Sequence, residues 1–165
     1  MTAARRRRKS PPFIHVAAAL ALAGLALAAP LRAGTSEYVV TDRHTGLAIS
    51  GYDPVAYFID RKAVPGRDDQ EYAFAGTVWR FKSEGNRGAF VDDPDLYMPR
   101  LGGYDPVGVA RGVALPGDPR LWRLAGERLY LFHTSQARAA FAEDTDGIMA
   151  LAERNWPSVQ LTLVP

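Results

Sequence analysis

The sequence predicts an α+β fold, a single small domain of two β-hairpin–helix units followed by a C-terminal helix. Three observations predict it. The pentapeptide Gly-Tyr-Asp-Pro-Val occurs twice, at 51–55 and 103–107. Two aromatic-rich stretches, 71–81 and 121–132, each alternate apolar and polar residues about a glycine-containing turn, the pattern of a hairpin. Each stretch runs into a helical segment with shared letters, "RGAFVDD" at 87–93 and "RAAFAED" at 138–144.

The elements follow in chain order. Residues 1–33 combine Arg5, Arg6, Arg7, Arg8 and Lys9 with an apolar run and a small-residue exit at Ala33, the build of a secretory signal peptide. The uninterrupted apolar part, 16–29, has 14 residues, whereas a spanning helix needs about 20. The expectation is cleavage near Ala33 and a periplasmic or secreted protein that is not integral to the membrane. The general and the twin-arginine export routes both remain open.

The domain is then 34–165. Losing residues 1–33 removes six of the 20 basic residues and none of the 18 acids, leaving 14 against 18 and a net charge of −4. No basic stripe remains to attract nucleic acid. The chain has no cysteine, which excludes disulfides, a thiolate metal site and a lipoprotein anchor.

Short strands are expected around 38–40 and 47–49, and loops at 63–70 and 114–120. The first hairpin should turn at Ala75, Gly76 and Thr77, the second at Ala125, Gly126 and Glu127. Ser83 and either Thr134 or Ser135 are expected N-caps. Pro94 should stop the first helix. The C-terminal helix should be capped by Thr145 or Asp146, bury Ile148, Leu151 and Ala152, and end at Pro157.

The repeated letters lie at nearly one spacing. The pentapeptides are 52 residues apart, the Ala-Gly pairs at Ala75 and Ala125 are 50 apart, and the helix motifs are 51 apart. Matches at a fixed period indicate a repeated unit. Two copies predict a pseudo-symmetric domain, with Phe90 and Phe141 at equivalent core positions. Arg87 and Arg138 should then reach equivalent partners, and Tyr52 and Tyr104 should sit at matching corners.

At "GLAISGYDPVAYF", "VWRFKSEGNRGAFVDDPDLYMPRLGGY", "GDPRLWRLAGERLYLF" and "NWP" the chain resembles bacterial exported proteins of the YHS domain family, over 46–157. The resemblance implies a link to metal handling, mainly of copper or other heavy metals, so a divalent or copper ion is the cofactor it suggests. Family members usually carry a cysteine just after the Gly-Gly-Tyr found here at Gly102, Gly103 and Tyr104. This chain has Asp105 there, a harder ligand than thiolate.

Asp53 and Asp105 each precede a proline, the place of a cap on a helix whose first residue is that proline. As a pure cap, Asp105 would tolerate Asp105→Asn. Alternatively, pseudo-symmetry brings both carboxylates to one site that holds a cation or shares a proton. Tyr52, Asp53, Tyr104 and Asp105 are the candidate ligand-binding residues, and His133 with Asp105 the candidate metal ligands. His44 is the only other histidine of the domain, and no short metal-binding spacing joins it to His133. Met98 has no histidine or methionine beside it. No nucleophile elbow, cysteine nucleophile or phosphate loop is present.

The leading functional expectation is a periplasmic binding or accessory domain, without catalytic activity, that holds a small ligand or ion near the two pentapeptide corners. Two alternatives stand beside it. One is a metal-dependent enzyme or metallochaperone using His133, Asp53 and Asp105. The other is a structural module of a membrane complex with a protein partner.

Overall fold

The computed structural model describes residues 39–163. The expected signal segment and Tyr38 lie outside them. Within that range the fold is α+β. Its elements are α1 (Ala56–Ile59), β1 (Arg67–Phe74), β2 (Thr77–Phe81), α2 (Glu84–Asp92), α3 (Pro94–Tyr97), α4 (Pro106–Ala110), β3 (Asp118–Ala125), β4 (Arg128–Phe132), α5 (Ser135–Glu143) and α6 (Thr145–Leu161). β1 pairs with β2 and β3 with β4, giving two antiparallel two-stranded sheets. No helix among the described residues is long and apolar enough to cross a membrane.

The two units repeat each other closely. Before each corner the chain makes a one-turn 3-10 segment, Ile49–Gly51 and Arg100–Gly103. Its backbone turns left-handed at Ile49, Ser50 and Gly51 (φ 41, 54 and 76°) and again at Leu101, Gly102 and Gly103 (φ 55, 62 and 88°). A β-branched residue at positive φ is uncommon, and Ile49 is held there fully buried in the main core. Isolated bridges Tyr52–Pro65 and Tyr104–Pro116 follow. The Gly66 N–H donates to the Gly51 carbonyl at 2.8 Å, and the Gly117 N–H to that of Gly103 at 3.0 Å. A Cβ at Gly66 would lie 2.5 Å from the Arg80 backbone, and one at Gly117 2.5 Å from Leu131 Cβ. Only glycine fits where these loops cross the hairpins.

The correspondence extends to the cores. Phe90 and Phe141 are both fully buried. Phe90 meets Phe81 at a centroid distance of 5.2 Å and Trp79 at 5.1 Å, and Phe141 meets Phe132 at 5.2 Å and Tyr130 at 4.8 Å. Each unit also completes the other. Leu129 and Leu131 of β4 join Tyr57, Trp79, Phe81 and Phe90 in one cluster. The Tyr57 hydroxyl donates to the Pro119 carbonyl at 2.8 Å, and its ring meets Trp122 edge-on at 5.2 Å.

Several expectations are corrected. The structural offset is 52 residues up to the corners and 51 from Val64 and Leu115 onward, because the second connection is one residue shorter. Phe74 therefore matches Ala125, each pairing across its turn with Thr77 or Arg128. The shared Ala-Gly letters are out of register by one. Ala75 and Gly76 alone turn the first hairpin, and Gly126 and Glu127 the second, all with positive φ. Such a pair matches the twist of the flanking strands. The strands begin earlier than expected, at Arg67 and Asp118, and both sheets shift register after that first pair. Residues around 40 and 48 make only isolated bridges.

The helix ends also differ. Ser83 and Thr134 cap α2 and α5 as expected, and Pro94 follows the end of α2 but also opens α3, capped by Asp93. α6 is capped by Asp144, whose carboxylate accepts from the Gly147 N–H at 2.9 Å. Pro157 lies inside α6, which continues to Leu161. Trp156 and Val159 pack with Ala152, Leu101 and Val109, and this burial outweighs the bond that proline removes. Leu151 is exposed, while Met149 takes a buried place. Arg87 lies 4.0 Å from Glu84. Arg138 lacks that partner because Ser135 stands where Glu84 does in the first unit.

Candidate functional site

The two corner carboxylates are the most consistent polar feature of the fold. Asp53 is fully buried and Asp105 is 1% exposed. Asp53 Oδ1 accepts from the Val55 and Ala56 N–H groups at 2.8 and 3.2 Å, and Asp105 Oδ1 from those of Val107 and Gly108 at 2.8 and 3.4 Å. Those of Asp105 are the expected cap of a helix opening on proline, whereas Asp53 makes the same bonds in a turn and α1 opens two residues later, at Ala56, with Val55 at its N-cap. The other oxygen does something the sequence did not suggest. Asp53 Oδ2 accepts from the Lys82 N–H at 2.8 Å, and Asp105 Oδ2 from the His133 N–H at 2.9 Å. Each carboxylate thus fastens its corner to the junction where the hairpin's second strand passes into the helix.

The units then diverge. In the first, the Asn86 side-chain amide donates to Asp53 Oδ2 at 2.7 Å, and Asn86 is buried at 6% exposure. The position 51 residues later is Ala137. In the first unit the Lys82 ammonium pairs with the Asp60 carboxylate. The equivalents are His133 and Arg111, since Asp60 and Arg111 each end their short helix. An amide plug and an ion pair have become a methyl group and two basic side chains.

A cavity of about 490 Å³ occupies this place in the second unit. Val107, Val113, Leu115 and Ala137 supply apolar walls, and Asp105 lines it as well. Arg111, His133, Thr134 and Gln136 are the exposed polar residues of its lining. The volume lies within the range of small-molecule sites, about 300–1,000 Å³. The His133 Nδ1 lies 2.9 Å from the Pro116 carbonyl. A carbonyl only accepts, so Nδ1 carries a proton.

Of the sequence candidates, Asp105 and His133 come together at this cavity, while Tyr52, Asp53 and Tyr104 do not line it. Tyr52 packs, half-buried, against the main core. Tyr104 packs on Trp156 at 5.9 Å, and burial raises its phenol above the usual tyrosine range, with Arg43 opposing. His44 lies in an exposed turn where its N–H donates to Asp42 at 3.0 Å. Met98 packs against the main core, and Arg100 pairs with Glu153 at 3.0 Å.

The residues present do not fit a soft metal ion. Asp53 already accepts four N–H donors. Among the described residues no three His, Cys, Asp or Glu side chains form a group able to hold a metal, and there is no cysteine. Arg111, Val113, Ala137 and Ala140 escaped the sequence reading. Aligning the units at an offset of 51 would have pointed to Ala137, as the small residue facing Asn86. Comparisons with protein-family models, curated proteins and solved structures gave no match to this chain.

Proposed function

We propose that this chain is a periplasmic, YHS-like domain that binds a small ligand and performs no catalysis. One observation carries the reading. An apolar cavity with a buried carboxylate in its lining stands in the second unit where the first is plugged by Asn86. Ligand sites are concave, mostly apolar and furnished with a few convergent polar groups, and Asp105, His133 and Arg111 are such groups here. The same fold without a cavity function needs no such difference between its halves. The metal-dependent alternative gains nothing from the geometry, because Asp53 is spent on four N–H donors and belongs to the other corner.

Crystals of the processed protein soaked with a mixture of small aromatic and aliphatic compounds test the proposal. Ligand density between α4 and α5, with none beside Asp53, is the expected result. If none of the compounds enters that space, the binding function is wrong.

A further inference from the structure

We infer that the ligand of this cavity presents an N–H donor, a primary amide or amine on an apolar body, to the Oδ2 oxygen of Asp105. The inference rests on the proposed binding function and adds the chemistry of the ligand. Its basis is an internal reference, because the first unit shows what the corner carboxylate accepts when its surroundings are complete. There Oδ2 takes two donors, the Lys82 N–H at 2.8 Å and the Asn86 carboxamide at 2.7 Å. In the second unit the backbone donor survives, from His133 at 2.9 Å. The side-chain donor does not, since alanine stands at 137.

A carboxylate oxygen has two lone-pair directions, and a buried charged group with an unmet one is costly. Asp105 is among the residues that line the cavity. A group entering it meets Val107, Val113, Leu115 and Ala137 along its length, which suit an apolar body. At its end it meets an acceptor that has room for one more donor. A carboxylate ligand would instead set two negative charges together in a poorly solvated place. A pure hydrocarbon would leave the oxygen unmet.

The opening has changed in the same sense. The ion pair of Lys82 with Asp60 spans the equivalent place in the first unit. Arg111 and His133 stand there in the second, with no carboxylate to join them. Neither side chain makes a salt bridge among the described residues, so nothing in the second unit corresponds to the Lys82–Asp60 pair.

Benzamide, benzylamine, benzoate and toluene, titrated separately into the isotopically labelled processed protein, provide the test. The readout is the backbone NMR shifts of Gly108, His133 and Ala137. Benzamide or benzylamine is expected to move these resonances saturably and at least tenfold more tightly than toluene, with benzoate silent. Whichever of the two binds more tightly tells whether a neutral amide or an ammonium is preferred. The Ala137→Asn variant, which restores the missing carboxamide, should fold and lose this binding by at least tenfold. Toluene or benzoate binding as tightly as the donors would overturn the N–H requirement while leaving the cavity a ligand site. Unchanged donor binding in Ala137→Asn would overturn the placement at Asp105. If none of the four binds, this inference fails together with the proposed binding function.

Discussion

Asp105 holds the backbone of His133 rather than its imidazole, through a 2.9 Å bond from the His133 N–H to Oδ2. That relationship decides how the corner behaves on mutation. A simple cap could be replaced by asparagine. Here both oxygens accept, Oδ1 from Val107 and Gly108 and Oδ2 from His133. An asparagine would turn its NH₂ toward one of these donors. Asp105→Asn should therefore destabilise the fold by about 1–3 kcal/mol, and Asp105→Ala by more. Denaturant unfolding checks this, and an asparagine variant as stable as the parent would return Asp105 to the role of a pure cap.

Asp53→Asn should cost more than Asp105→Asn. Asp53 accepts four donors against three, the fourth being the buried Asn86 amide. Asn86→Ala should cost about 1–3 kcal/mol by leaving that buried oxygen with the Lys82 N–H as its one donor. It should also open a cavity beside Asp53 like the one in the second unit. The two asparagine variants compared in one urea series test the order. Equal losses would mean that the Asn86 bond adds nothing.

The crossing glycines give a test of the repeat itself. Gly66→Ala and Gly117→Ala each place a Cβ 2.5 Å from a neighbouring atom, and overpacking of this kind costs about 1–3 kcal/mol or more. The losses should be similar in the two units. Gly76→Ala faces open space but has φ +78°, so its cost should be limited to about 1–2 kcal/mol of backbone strain. Thermal melts of the three variants distinguish a steric cost from a conformational one.

Pro157 should be a weak point of α6. Pro157→Ala restores an N–H inside a 17-residue helix. Proline is less favourable than alanine there by about 3 kcal/mol, part of which is offset by its stiffness in the unfolded chain. A higher melting temperature is expected. A lower one would mean that the exposed proline makes a contact the helix needs.

Export is tested chemically. The arginine-rich start and the 14-residue apolar run predict that N-terminal sequencing of the mature protein begins near Gly34. Recovery of Met1 on a membrane-bound species would contradict it.

The repeat was legible because its letters mark positions with little choice. Gly51 and Gly103 turn left-handed, Asp53 and Asp105 hold the N–H groups of their corners and clip them to the strand ends, and Phe90 and Phe141 fill equivalent hollows, each in its own unit. The hairpin register was not legible, since Ala-Gly in one turn and Gly-Glu in the other occupy equivalent places with different letters. Helix α6 ran past Pro157 because packing of Trp156 and Val159 against Leu101 and Val109 is not visible in a local pattern. The site was half legible. Asp105 and His133 stood out as residue types, while the asymmetry that makes a cavity of their surroundings lies in an alanine.

The crystal structure of the Ala137→Asn variant tests the central claim, that the cavity is the first unit's pattern with its plug removed. The introduced carboxamide should donate to Asp105 Oδ2 at about 2.7–3.0 Å, as Asn86 does to Asp53, and occupy part of the cavity without moving α5. A side chain turned to solvent, with Asp105 Oδ2 still bonded only to His133, would contradict it.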